Sequence, residues 1–99
     1  MINLDDYLDI TIDFKLNGEV LNIKQPTAAM TKEIAKLEKS IDEENYLDIN
    51  CKITKIILNN NKNGKKFTDE DVEKIPCKLQ TFIATKIAEL KYEVEHDPN

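Results

Sequence analysis

The segment from residue 8 to residue 24 constrains the fold more than any other part of this chain. From Leu8 to Leu16, apolar and polar side chains alternate, which is the period-two pattern of a strand with one buried face. Asn17-Gly18 follows, and this dipeptide favours a two-residue hairpin turn because both residues tolerate a positive φ. A second strand is predicted over residues 19–24, so residues 8–24 are expected to form a β-hairpin.

The register of this hairpin can be checked against the apolar pattern. A two-residue turn places Leu16 opposite Glu19 and Phe14 opposite Leu21, which brings the apolar residues of both strands onto one face. An isolated hairpin is only marginally stable in water, so this face must pack against other elements. We expect helices that follow in the chain to supply that packing.

Apolar residues at helical spacing predict four helices after the hairpin. Thr27 is a candidate N-cap for the first, and an acidic turn precedes the second. Thr68 and Asp71 stand where a capping box would begin a short third helix, and Pro76 suits the first turn of a final one. The predicted helices cover about 28–40, 43–60, 69–74 and 76–95.

The length of the chain, residues 1–99, fits a single domain and leaves no room for two. We therefore predict a helix-dominated α+β fold in which an N-terminal β-hairpin packs against three to four α-helices. No apolar run approaches the roughly 20 residues that span a bilayer. The first residues also lack the basic region of a signal peptide, so a cytoplasmic location is expected.

The second predicted helix carries more apolar surface than one core-facing stripe requires. Ile49, Ile53 and Ile57 lie on its main stripe. A second stripe, formed by Leu47, Cys51 and Leu58, lies roughly 100–120° away around the helix. The last helix has an edge of small side chains that would permit close approach of another helix. Each surface is either buried within the fold or meets a partner. The candidate protein-binding residues on these surfaces are Leu47, Cys51, Leu58, Ala84 and Ala88.

The residue types that carry most enzyme chemistry are scarce in this sequence. His96 is the only histidine and lies at the end of the last predicted helix, where it cannot be held in a catalytic geometry. Ser40 is the only serine and lies among charged residues. Cys51 and Cys77 fall within helical apolar patterns, which predicts reduced thiols. We expect no catalytic residues, no metal site and no cofactor, and therefore a protein that is not an enzyme.

The charge of the chain also excludes some partners. The net charge is −5, and every positive side chain is a lysine because the sequence contains no arginine. An acidic chain repels phosphate groups, so neither nucleic acid nor an anionic membrane is an expected partner. Binding to another protein is the function class that remains.

One segment matches a calcium-binding pattern in its spacing. Asn59, Asn61, Asn63, Gly64 and Glu70 fall at ligand and glycine positions of an EF-hand loop, between two predicted helices. Only one of these residues is a carboxylate, and lysines crowd the same segment. A calcium-binding helix–loop–helix protein is thus one alternative function, and a plain loop between helices is the other interpretation.

Three segments together resemble the small tail assembly chaperones of long-tailed phages and prophages of Gram-positive bacteria. They are the hairpin sequence FKLNGEVLNIKQP at 14–26, the segment FTDEDVEKIP at 67–76 before the last helix, and the C-terminal tripeptide DPN at 97–99. In that family the chaperone binds the long, aggregation-prone tape measure protein and helps bring tail tube subunits to it. It performs no chemistry.

The resemblance implies a tape measure protein as partner, together with tail tube subunits, in the cytoplasm of the host. Many members are also made as a longer frameshifted product, and this chain would then be the short form. The resemblance assigns no binding residues and leaves a homo-oligomer open. The alternative from a different class is a small acidic phage or bacterial regulator that inhibits a host protein, which would need carboxylates gathered on one face.

Overall fold

The computed structural model describes residues 1–96, and side chains of residues 1–89. Within that range the chain forms five α-helices and one two-stranded antiparallel sheet. The elements in chain order are α1 (Leu4–Leu8), β1 (Thr11–Leu16), β2 (Glu19–Lys24), α2 (Ala28–Lys39), α3 (Tyr46–Asn59), α4 (Asp69–Glu73) and α5 (Cys77–His96). The predicted helix-dominated α+β class is confirmed. The C-terminal tripeptide at 97–99 lies outside the described residues.

The hairpin forms in the register that the turn predicts. Leu16 lies opposite Glu19, and Phe14 lies opposite Leu21. The turn residue Asn17 has a φ of 54° and Gly18 a φ of 82°, so both adopt the left-handed conformation of a two-residue hairpin turn. A Cβ added at Gly18 would meet no atom within 4 Å. The requirement for glycine therefore comes from the backbone angle and not from lack of space.

Replacing Gly18 with valine should destabilise the fold by about 1–2 kcal/mol, because a β-branched residue resists a positive φ. Thermal unfolding followed by circular dichroism would measure this as a fall in Tm of at least about 4 °C for a domain of this size. Gly18→Asn is the matched control and should lose less, since asparagine tolerates the left-handed region. Equal Tm values for Gly18→Val and the unchanged chain would contradict the assigned turn.

The start of the hairpin differs from the prediction. The alternating pattern predicted a strand from Leu8, but β1 begins at Thr11 and the preceding residues form α1. In the observed register, a longer β1 would have to pair with Gln25 and Pro26, but its partner β2 ends at Lys24. Asn3 instead begins a helix, because its side chain accepts a hydrogen bond from the Asp5 backbone N–H at 3.1 Å. The prediction of a strand over residues 8–10 is therefore wrong.

The helix α3 begins at Tyr46, whereas the sequence predicted a start at about residue 43. The preceding residues form a turn held by two short polar side chains. Asn45 Oδ1 accepts a hydrogen bond from the Asp42 backbone N–H, and Asp42 Oδ1 accepts one from the N–H of Glu44. Such local side-chain bonds to the backbone compete with helical hydrogen bonds, so the helix begins three residues further along the chain than predicted.

The short helix α4 begins with the capping box that the sequence predicts. The Thr68 hydroxyl accepts a hydrogen bond from the Asp71 backbone N–H, and the Asp71 carboxylate accepts one from the Thr68 N–H. The hydrogen bond from the Thr68 backbone N–H, and after it the interaction with the Thr68 hydroxyl, lower the pKa of the Asp71 carboxyl below its ordinary value. The box fixes the direction in which the chain enters α4 and then α5.

The helix α3 is the central element of the fold. It contacts β2, α2, α4 and α5. Ile49, Ile53 and Ile57 of its main stripe are buried, and so is Leu58 of its second stripe. The hairpin packs its apolar face onto the same core, as predicted. The core residues outside α3 are Leu21, Ile23, Phe67, Val72, Ile75, Ile83 and Ile87.

Candidate protein-binding groove

The structure separates the five predicted binding residues into three environments. Leu58 is only 1% exposed and belongs to the core, so its assignment to a contact surface is wrong. Leu47 is 51% exposed and lines a shallow pocket together with half-buried Cys51. Ala84 and Ala88 line a different and more apolar groove on the other side of α3.

The two ends of α3 explain why Leu47 and Leu58 differ. The chain after α3 is bound to β2, because the Lys24 N–H donates to the Asn60 carbonyl and the Lys62 N–H to the Asn22 carbonyl. The hairpin therefore lies against the C-terminal end of α3, where Leu58 is buried. At the other end, Leu47 borders a shallow pocket beside α4 and the start of α5 and keeps its side chain in contact with solvent.

The groove lies between α2 and α5 and is here called the α2–α5 groove. Its floor consists of Ile53 and Ile57 from α3 and Ile87 from α5, all of them buried residues of the core. It encloses about 460 Å³. Thr85 and Glu38 contribute polar groups at its sides. The arrangement is an apolar floor with a partly polar rim.

The groove exists because two helices that flank α3 do not close over it. The helix α2 packs on α3 but buries no residue of its own, and Ile34 is only half-buried. The facing wall of α5 carries Ala84 and Ala88, whose small side chains fill little of the space between the helices. Protein interiors normally close such gaps, so an apolar cleft of this size can accept further apolar side chains.

The side chains along each wall follow the helical repeat. Ala84 and Ala88 are one turn apart on α5, and Ile34 and Glu38 are one turn apart on α2. The lining on α2 runs from Thr31 to Glu38, so the groove follows α2 for roughly 10 Å at 1.5 Å per residue. This length and its apolar floor suit about two turns of an amphipathic helix.

A buried polar network holds α5 in place beside the groove. Gln80 donates hydrogen bonds through Nε2 to the Val72 carbonyl at 3.1 Å and the Ile75 carbonyl at 3.0 Å. Its Oε1 lies 3.2 Å from the hydroxyl of buried Thr54 on α3. Among the described residues, no buried side-chain nitrogen or oxygen lacks a partner. The network is therefore a structural connection between α3, α4 and α5.

The α2 side of the groove was not among the predicted binding surfaces. The apolar residues Met30, Ile34, Leu37 and Ile41 form one narrow stripe at helical spacing, and Ile34 and Ile41 of this stripe line the groove beside Ala35. The available signal was the narrowness of that stripe, which leaves little apolar surface for burial and places the helix at the edge of the fold.

The asparagine-rich loop after α3 binds its own backbone. Asn61 Oδ1 accepts hydrogen bonds from the N–H groups of Asn63 at 3.0 Å and Lys65 at 3.1 Å. Asn59 Oδ1 accepts one from the Phe67 N–H at 2.7 Å. In the part of the chain that the structure describes, no group of three or more His, Cys, Asp or Glu residues could hold a metal ion. This geometry gives the calcium-binding alternative no support.

Charged side chains of opposite sign are interspersed over the surface. Lysines pair with carboxylates of another element, as in Lys55–Asp69 at 2.9 Å, and within one helix, as in Lys86–Glu89 of α5 at 3.3 Å. Such interspersion does not favour the alternative of an acidic mimic, which needs carboxylates gathered on one face. Cys51 and Cys77 are both free thiols, as predicted.

The fold and the groove define a helix-dominated α+β domain with an open apolar cleft. Within the described residues, the helices are too short or too polar to cross a membrane. Comparison with protein-family models, with curated proteins and with solved structures finds no match to this chain.

Proposed function

We propose that this chain is a non-enzymatic phage tail assembly chaperone that binds the tape measure protein in the host cytoplasm and keeps it soluble while the tail forms. The observation that carries the proposal is the α2–α5 groove, an apolar cleft of about 460 Å³ that follows α2 for about two turns. The likeness of the hairpin and the capping segment to that family supports the same function.

The groove fits a helical segment of the client. The floor formed by Ile53, Ile57 and Ile87 provides an apolar surface for client side chains, each worth about 1.5–3 kcal/mol when fully buried. Ala84 and Ala88 allow the client backbone to approach α5 closely. A long client with exposed apolar helix faces aggregates through those faces, and covering one in this groove would oppose aggregation.

The charge of the chain supports the same role. The chain has a net charge of −5. Complexes of this chain with an apolar client would therefore repel one another, which opposes their aggregation. Glu38 lies at the groove and can attract a basic side chain that flanks the apolar face of a client helix. The client we expect is therefore an amphipathic helix with lysine or arginine beside its apolar positions.

Filling the groove should abolish client binding. Ala35 lines the groove from α2 and Ala88 lines it from α5, and Ala88→Trp combined with Ala35→Trp would occupy the space that a client helix needs. We expect co-expression of this double variant with the tape measure protein to lower the soluble client at least about tenfold relative to the unchanged chain, the loss expected when about 1.4 kcal/mol or more of binding energy is removed. The soluble fraction is measured by quantitative immunoblotting.

The matched control places tryptophan on the same helix outside the groove. Ala29 is exposed at the start of α2, so Ala29→Trp should keep the client in solution. Circular dichroism confirms that each variant is folded. Equal client solubility with the groove variant and the Ala29 variant would reject the groove as the binding site. A client that is equally insoluble with and without the unchanged chain would reject the chaperone function itself.

A further inference from the structure

The two edges of the small sheet differ in how their backbone groups are used. On β2, the N–H of Lys24 and the carbonyl of Asn22 bond to the loop after α3, at 2.8 Å and 2.9 Å. These groups therefore point away from β1. Because hydrogen-bonding direction alternates along a strand, Ile23 points its backbone groups towards Ile12 of β1. The loop thus covers the outer edge of β2.

The same alternation leaves the outer edge of β1 free. Since Ile12 bonds inwards to β2, the backbone groups of Thr11, Asp13 and Lys15 point outwards. Among the backbone bonds that the described residues make outside their own helices and strands, none involves these three residues. An open strand edge of this kind is a template for another strand.

The N-terminal segment does not cover this edge. The side chain of Gln25 donates to the Tyr7 carbonyl, and Lys62 Nζ donates to the Asp9 carbonyl at 3.2 Å. Both contacts draw α1 and the residues after it towards the end of β2 and its loop. The outer side of β1 stays accessible.

We propose that β1 pairs with β1 of a second copy of this chain, antiparallel about a two-fold axis at Phe14. The pairing joins two hairpins into one four-stranded sheet. It satisfies the outward backbone groups of Asp13 and Lys15 in both copies.

The charges on β1 select this register. Two antiparallel registers keep the apolar residues of both β1 strands on one face and pair five residues of each strand. Their two-fold axes lie at Asp13 and at Phe14. An axis at Asp13 places two aspartates opposite each other, which is unfavourable. An axis at Phe14 places Asp13 opposite Lys15 of the second copy, twice by symmetry. The strand is thus complementary in charge to itself, which favours a second copy over an unrelated strand.

The apolar side of the sheet continues across the same axis. At an axis through Phe14, the two phenylalanines form a directly opposed pair on the face that packs against the helices. The helix that contacts β1 is α5, and it leaves Leu79 39% and Phe82 51% exposed. These exposed side chains give the second copy additional apolar surface to cover.

The carboxylate of Asp13 can pair with Lys15 of the second copy. Hydrogen bonds from the Asn22 side chain, at 2.7 Å, and from the Thr11 hydroxyl, at 2.9 Å, lower the pKa of Asp13. The carboxylate is therefore ionised at neutral pH, and because both bonds end on Oδ1, its Oδ2 is left for Lys15 of the second copy.

The test is sedimentation equilibrium over a range of concentrations of the full chain. The unchanged chain should pass from its 11.4 kDa mass to twice that mass as its concentration rises. Lys15→Glu places a glutamate opposite Asp13 at both pairs and should raise the dimer dissociation constant about tenfold. The double reversal Asp13→Lys with Lys15→Glu restores opposite charges and should recover most of the lost association.

The matched control is Lys24→Glu, which makes the same change of net charge on the covered strand β2 and should leave association unchanged. Hydrogen exchange gives a second readout, because the amides of Asp13 and Lys15 should become protected only at dimer-forming concentrations. A chain that keeps its monomer mass at all concentrations would overturn the proposal and identify these charges as protection of the edge. Equal association of the Lys15 and Lys24 variants would overturn it as well.

Discussion

Leu58→Glu should abolish cooperative folding, whereas Leu47→Glu should leave the fold intact. Both residues belong to the same second stripe of α3, but Leu58 is 1% exposed and Leu47 is 51% exposed. Removing a buried leucine costs about 2–5 kcal/mol, and an unpaired carboxylate in its place adds several more. A domain of this size has only about 5–15 kcal/mol of stability, so the sum removes most or all of it.

Chemical denaturation followed by circular dichroism measures this difference. We expect no folding transition for Leu58→Glu and a change below about 1 kcal/mol for Leu47→Glu, as is usual for exposed sites. Leu58→Ala keeps the test quantitative, since its expected loss of about 2–5 kcal/mol leaves a measurable transition. A normal transition for Leu58→Glu would mean that the second stripe of α3 is a free surface along its whole length.

The second large effect concerns Asn61, which is 8% exposed and forms four side-chain hydrogen bonds. Its Nδ2 donates to the carbonyls of Leu58 and Lys65, both at 2.8 Å, and its Oδ1 accepts from the backbone N–H of Asn63 and Lys65. Asn61→Ala leaves these groups without partners in a buried position. We expect the free energy of unfolding to fall by about 2–4 kcal/mol.

The position of Asn61 explains why the loss extends beyond its own loop. Its backbone forms a bridge with Ile23, so the loop that it shapes is also the cover for the outer edge of β2. Asn61→Asp should be harmful too, because a carboxylate cannot donate to the carbonyls of Leu58 and Lys65. Hydrogen exchange should show faster exchange at Lys24 and Lys62, whose amides bond across this edge.

Asn63→Ala is the matched control for the same loop. Asn63 is exposed, and water can replace its bonds to Asn22. Its loss should therefore stay near 1 kcal/mol or below. If Asn61→Ala and Asn63→Ala had equal effects on chemical denaturation, burial of the Asn61 amide would not be what stabilises the loop.

The fold class was predictable because its signals are local. The turn at Asn17-Gly18 and the capping box at Thr68 depend on neighbouring backbone groups, and both formed as predicted. The strand start at Leu8 was mispredicted because a strand also needs a partner. The partner strand β2 ends at Lys24, before Pro26, and the alternation within β1 alone does not reveal where β2 ends.

The candidate site was only partly predictable. Small side chains at Ala84 and Ala88 suggested a surface for close approach, and both line the groove. The assignment of Leu58 failed because helical periodicity gives only the direction of a side chain around its own axis. Whether another element covers that direction depends on contacts distant in sequence, here those of α3 with β2, α2, α4 and α5.

The sequence by itself determined α2 to α5, the hairpin register and the scarcity of reactive side chains, because each follows from residue identity and short-range spacing. Only the tertiary structure decided which side chains of α3 are covered, that α2 and α5 leave a groove between them, and that β1 keeps a free edge. Those outcomes depend on how elements far apart in the chain pack, and a pattern confined to one element holds no information about its neighbours in space.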